Sequence, residues 1–208
     1  MASDPMNDAA PLNGLVLAGG KSSRMGRDKA LVIYRDRVHL RDVMELVDRH
    51  AVRAWISIRA DQAEIPVYRD YPQIHDRVGD QGPLGGMVSA FEAYPGCAWL
   101  VVACDLPFLT HEALATLIAA RGHGNDAVAY RDAVHGGPEP LCAIYEPPAQ
   151  FVLVEEFQLH QRSPRDALAR ARTRIIPPAA PGLLTNVNRP HQHRRAREAG
   201  AGPTGEPR

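Results

Sequence analysis

Residues 14–32, GLVLAGGKSSRMGRDKALV, run from an apolar stretch straight into the adjacent glycines Gly19 and Gly20. Lys21, Ser22, Ser23, Arg24, Gly26, Arg27, Asp28 and Lys29 follow, with one Met among them. Residues of these types suit phosphate chemistry. Adjacent glycines let the backbone approach a ligand closely and present its N–H groups. Lys21, Arg24, Arg27 and Lys29 surround that backbone with positive charge, and together they describe a cradle for a polyphosphate. For a bare Gly-Gly-Lys, a solvated turn with scattered basic residues is the plainer alternative. Neither the Walker spacing nor GxGxxG is present. A second group with chemistry is Asp105, which follows the apolar run WLVVA at residues 99–103. A carboxylate there suits Mg²⁺, which keeps most of its positions for water and phosphate oxygens.

These groups need elements to position them, and the chain alternates strand and helix patterns. Residues 15–18 read as a first strand and residues 54–59 (AWISIR) as a second. Residues 99–103 form a continuous apolar run suited to a central parallel strand covered on both faces. Leu40, Val43, Met44 and Val47 keep the i, i+3, i+4, i+7 spacing of an amphipathic helix, as do Leu84, Met87, Val88 and Phe91. Thr110 fits an N-cap before Leu114, Leu117 and Ile118, with Gly122 past the end. Ser163 and Pro164 open another helix, with the proline in its first turn. Residues 127–130 and 141–145 read as later strands. The alternation predicts an open, mostly parallel α/β sheet in three layers, and such sheets bind ligands beyond the carboxyl ends of their strands.

Composition narrows the class. A chain of 208 residues with 45% apolar residues suits one domain with a full core. Lys plus Arg number 24 and Asp plus Glu number 24, which excludes the basic surplus of a nucleic-acid binder. Cys97, Cys104 and Cys142 are scattered and lack CxxC spacing, so they read as buried thiols in a reducing, cytoplasmic setting. No apolar run approaches the roughly 20 residues that span a bilayer, and residues 1–13 do not resemble a signal peptide. The expected organisation is a disordered leader over 1–13, one domain over 14–196 and a flexible tail over 197–208.

The loop also spells a signature. Leu17-Ala18-Gly19-Gly20-x-Ser22-x-Arg24-Met25-Gly26-x-Asp28-Lys29 resembles the LAGGxSxRMGxDK of nucleotidyltransferases with a Rossmann-like fold, most closely the molybdenum cofactor guanylyltransferases. Gly82-Pro83-Leu84-Gly85-Gly86 resembles GPLAG, Cys104-Asp105-Leu106-Pro107 resembles CDxP, Glu139-Pro140-Leu141 with Tyr145 resembles EPLxALY, and Asn186-Val187-Asn188 resembles NxN. The resemblance implies transfer of GMP from GTP to molybdopterin with release of pyrophosphate. It implies that Leu17, Ala18, Gly19 and Gly20 hold the nucleotide, that Arg24 and Lys29 meet its phosphates, and that Asp105 holds Mg²⁺ with Asn188 opposite.

The family usually places an acidic residue just before GPLAG to contact the nucleotide. Asp80 is taken for it, with Asp76 further back. After Asn188 the chain has Arg189-Pro190-His191-Gln192 where the family prefers Thr-Pro-Glu-Asp, which is opposite to what a helix start favours. His191 and His193 read as solvated, Cys104 as a buried thiol, and Trp55 and Trp99 as sheet packing. A monomer making transient contact with molybdoenzymes or cofactor-synthesis proteins is the expected state. Two other readings stay open: cytidylyl or sugar-phosphate transfer on the same fold, and a nucleotide-binding regulator without catalysis. Gly20, where cytidylyl relatives carry LAAG, favours guanine.

Overall fold

A computed structural model describes residues 9–19, 32–34, 37–76, 82–159 and 163–187. Its centre is a seven-stranded sheet, and the order of those strands explains where the chemistry lies. The first strand, β1 (Leu12–Leu17), runs parallel to β4 (Ala54–Ile58) on one side and to β6 (Ala98–Ala103) on the other. β5 (Gln73–His75) adds parallel to β4. Beyond β6 the sheet continues with β8 (Pro138–Tyr145), antiparallel, then β7 (Ala127–Arg131) and the parallel edge strand β9 (Thr173–Ile176). A small separate hairpin joins β2 (Ile33–Tyr34) to β3 (Arg37–Val38).

All six residues of β6 are buried, as the continuous apolar run predicts for a strand covered on both faces. One cover includes α1 (His39–Asp48), whose Leu40, Val43, Met44 and Val47 turn inward with α3 (His111–Ala119) in the same apolar layer. The opposite cover includes α2 (Pro83–Ala93), α4 (Ala149–Gln158) and α5 (Pro164–Arg170). Trp99 is fully buried in that layer against Phe91 and Tyr94. The result is a three-layer α/β fold.

Local chemistry starts the helices where the sequence reading put them. The Thr110 hydroxyl accepts from the Ala113 N–H at 3.3 Å, and the Ser163 hydroxyl accepts from Asp166 N–H at 3.2 Å. Two strands run longer than expected. β1 starts at Leu12, whose carbonyl accepts from Val52 N–H at 2.8 Å, inside the stretch read as a leader. β8 starts at Pro138, where a register shift in β7 between Ala129 and Arg131 accommodates the proline. Among the described residues all three cysteines are free; Cys104 and Cys142 are buried and Cys97 is half-buried. No helix among them is long and apolar enough to cross a membrane.

Candidate active site

Parallel pairing brings the carboxyl ends of β1, β4 and β6 to one edge. Leu17 stands beside Ser57 on one side and Ala103 on the other. The next residues remain tied in: Ala18 N–H donates to the Ser57 carbonyl at 3.0 Å, and Cys104 N–H donates to the Leu17 carbonyl at 3.3 Å. Gly19 then passes so close to β4 that a Cβ would lie 3.1 Å from Ile58 Cα and 3.2 Å from Arg59 N. Only glycine fits that approach without displacing backbone. The Gly19 carbonyl accepts from Arg59 Nη1 at 2.6 Å. Gly20, Arg24 and Lys29 lie outside the described residues, as do Lys21, Ser22 and Arg27.

A second wall forms where β5 ends. Asp76 N–H donates to the Ile58 carbonyl at 3.1 Å, and Ser57 Oγ donates to Asp76 Oδ1 at 3.1 Å. Gly86 on α2 packs over this pair, and a Cβ there would collide with the Ser57 hydroxyl. Gly82 opens α2 with φ +67°, a left-handed value that favours glycine. These contacts give the Gly82-Pro83-Leu84-Gly85-Gly86 run a physical purpose: it seats a helix start against the ends of β4 and β5. Asp80 lies outside the described residues. Asp76 and Ser57 are carried to the edge by their strands, and nothing in the local sequence around Ser57 marks it.

Asp105 stands two residues beyond β6, half-buried, on the same edge as Ala18 and Gly19. Its carbonyl accepts from Val187 N–H at 3.1 Å, so Asn186-Val187 is drawn to the same corner. Val187 is itself buried against Val32 and Phe108. Asn188 lies outside the described residues. Cys104 is buried beside Asp105 and packs in the core, as expected of a thiol at the end of an apolar strand.

The antiparallel register that sets Val102 against Cys142 brings the start of β8 toward Asp105. Glu139 is half-buried there, its Oε1 accepting from Leu141 N–H at 3.0 Å. Burial pushes the Glu139 carboxyl above its ordinary range, and the charges of Asp132 and Asp105 push the same way against Arg165. Tyr145 ends the same motif as a structural clip, its buried hydroxyl donating to the Pro140 carbonyl at 2.9 Å.

The turn between β7 and β8 is held by Asp132. Its Oδ1 accepts from Val134 N–H at 2.8 Å and His135 N–H at 3.2 Å, while Oδ2 meets His135 Nδ1 and Arg165 Nη2, each at 2.7 Å. Burial alone would raise this carboxyl, but the His135, backbone and Arg165 bonds outweigh it and hold it well below the usual range. A folded pKa below the unfolded one means these bonds stabilise fully above about pH 4 and lose force as pH falls below it. Asp132→Ala is therefore expected to cost about 2–4 kcal/mol at neutral pH. The loss should shrink in acid, which urea melts at pH 7 and pH 3 would check.

The family model for the MobA-like NTP transferase domain matches residues 14–175. The chain is 33% identical over 183 residues to a molybdenum cofactor biosynthesis bifunctional protein of Synechocystis sp., covering 88% of this chain and 53% of that protein. The chain thus spans about half the length of that relative. It is 28% identical over 170 residues to a probable molybdenum cofactor guanylyltransferase of Bacillus cereus, with 78% of this chain and 82% of the relative covered.

Among solved structures, molybdopterin-guanine dinucleotide biosynthesis protein A from Archaeoglobus fulgidus superposes with a TM-score of 0.76 at 25% identity, covering 90% of this chain and 97% of that one. A Mycobacterium tuberculosis protein solved in complex with manganese shares the fold at 17% identity and a TM-score of 0.62, covering 91% of this chain and 99% of its own. The chain belongs to the MobA-like NTP transferase domain family and is a nucleotidyltransferase.

Proposed function

We propose that this chain transfers GMP from GTP to a phosphate of molybdopterin, releasing pyrophosphate and forming the guanine dinucleotide cofactor. The carrying observation is the pairing of β1 with β6, in which Leu17 stands beside Ala103. That pairing puts the Leu17–Gly19 backbone and the Asp105 carboxylate on one edge, in a family whose relatives include proteins named for guanylyl transfer to this cofactor.

An acceptor phosphate oxygen attacks the α-phosphate and pyrophosphate departs, with no covalent enzyme intermediate. Rate then comes from alignment and from neutralising charge that develops in the transition state. In this proposal the backbone of Leu17, Ala18, Gly19 and Gly20 seats the nucleotide. Arg24 forks onto the leaving β- and γ-phosphates, and Lys29 sets a point charge near the α-phosphate. Asp76, held by Ser57, lines the nucleotide side, with Asp80 the other candidate from the sequence.

The corner at Asp105 suits a divalent cation: a half-buried carboxylate stands near Glu139, whose carboxyl its charge pushes up. Asp105 and Asn188 would hold Mg²⁺ there, and the bound ion would neutralise phosphate charge. Partners beyond these substrates would be molybdoenzymes or cofactor-synthesis proteins met transiently by a cytoplasmic monomer.

Incubating the protein with molybdopterin, Mg²⁺ and each nucleoside triphosphate in turn tests the proposal. Pyrophosphate release with GTP alone is the expected result. Release with CTP alone would assign cytidylyl transfer, and GTP binding without release would assign a regulator. In the same assay Arg24→Ala should weaken GTP binding and lower turnover by about tenfold or more, since it removes a charge-assisted fork from the leaving group. A folded Arg24→Ala protein with wild-type affinity and turnover would remove Arg24 from the polyphosphate site.

A further inference from the structure

We propose that Arg59 is a positioning residue of the nucleotide site, acting through the Gly19 carbonyl on the backbone that meets the triphosphate. This rests on the reading that the loop after β1 binds the nucleotide. Arg59 follows β4 directly, and its guanidinium does two things at once. Nη1 donates to the Gly19 carbonyl at 2.6 Å, while Nε and Nη2 donate to Asp61 Oδ1 and Oδ2 at 2.9 and 3.0 Å.

The backbone beneath is anchored as well. Arg59 N–H donates to Gln62 Oε1 at 3.1 Å, and Gln62 N–H returns a bond to the Arg59 carbonyl at 3.0 Å across the short turn Ala60–Gln62. A planar guanidinium forked on a carboxylate has few directions left for its remaining N–H groups. Here one of them is spent on a loop carbonyl.

Phosphate oxygens are repelled by bare carbonyl oxygens. The Gly19 carbonyl, at the point where β1 gives way to the loop, has its lone pair engaged by the Arg59 guanidinium and so does not confront a phosphate as an unpaired acceptor. The absent side chain at Gly19, within 3.1 Å of Ile58 Cα, is what brings the loop into reach of Arg59. Asp61 completes the device from an exposed position, with 69% of its side chain accessible against 20% for Arg59.

A simpler role would be long-range attraction of the triphosphate by the Arg59 charge, and the two roles differ in sign at Asp61. If Arg59 only attracts, Asp61→Asn removes a neighbouring negative charge and GTP binds more tightly. If Arg59 positions, Asp61→Asn loosens the fork and GTP binds less tightly.

Calorimetric titration of the protein with GTP and Mg²⁺, alongside steady-state kinetics, separates them. Arg59→Ala should weaken GTP about tenfold and Asp61→Asn about threefold, the scale of losing or weakening charge-assisted hydrogen bonds. Arg59→Lys keeps the charge without the fork and should recover only part of the loss. Turnover at saturating GTP should stay within about twofold, because the reacting groups are untouched. Tighter GTP binding by Asp61→Asn, or wild-type affinity in Arg59→Lys or Arg59→Ala, would overturn the inference while leaving guanylyl transfer standing. A wild-type protein that takes no nucleotide would overturn both.

Discussion

Asp105→Asn is expected to lower turnover by about a hundredfold or more, the scale of removing a main electrostatic stabiliser from a transition state. The substitution keeps the size and shape of the side chain and removes the charge a divalent cation requires. The structure separates that loss from a folding defect. The contact that ties Asp105 to the Asn186-Val187 segment is made by its backbone carbonyl, which accepts from Val187 N–H at 3.1 Å and survives the change. The side chain is half-buried at the open edge, beyond the buried residues of β6.

Metal-free GTP binding should change little or tighten, because the substitution removes a negative charge from the proposed triphosphate site. Melting temperature and Mg²⁺-dependent pyrophosphate release on one preparation decide the matter. A structural Asp105 would lower the melting temperature and leave turnover per folded molecule near normal, and that outcome would retire the metal assignment.

The part of this architecture that was readable beforehand is the part where pattern and environment agree. β6 is legible because the continuous apolar run at residues 99–103 matches a strand whose residues are all buried, and α1 reads as a helix because one face alone is apolar. α4 escaped because its pattern contradicts its environment: Phe151 is 79% exposed, whereas Glu156 is buried and paired with Arg170 Nη1 at 2.6 Å. A periodicity search assigns those two residues to the wrong faces. β9 escaped for a related reason, since it lies at the sheet edge with no residue fully buried and pairs only with β7.

The site was legible as a composition and less so as a geometry. Gly19 and Asp105 stand out by residue type and by their place at strand ends, and the fold brings them to one edge. Asp76 is visible in the sequence only as the further-back alternative to Asp80, and Ser57 and Arg59 carry no local signal, because their contacts depend on which strands become neighbours. A serine in the middle of an apolar strand becomes informative only when Asp76 arrives beside it from β5. An arginine after a strand becomes informative only when it reaches Gly19. Strand order is a long-range property, and spacing along the chain does not encode it.

Gly19→Val should abolish detectable GTP binding while the protein still folds. The position leaves no room on the β4 side: even a single Cβ would lie 3.1 Å from Ile58 Cα, 3.2 Å from Arg59 N and 3.3 Å from the Ile58 carbonyl carbon. These are backbone atoms, which cannot rotate away as a flexible side-chain end can. Alanine asks them to yield a few tenths of an ångström. Valine adds two branches with one stiff rotamer preference and forces the loop off β4.

The overpacking itself should cost about 1–3 kcal/mol, less than the roughly 5–15 kcal/mol by which folded proteins are stable. The functional loss is larger because the displacement also breaks the 2.6 Å bond from Arg59 Nη1 and moves the Leu17–Gly19 backbone out of register with Asp105. Gly19→Ala should fall between, with weakened but measurable GTP binding. The order wild type, Ala, Val in titrations with GTP, set against circular dichroism melts, makes the test quantitative. A Gly19→Val protein that binds GTP like wild type would show that close backbone approach at this loop has no part in holding the nucleotide.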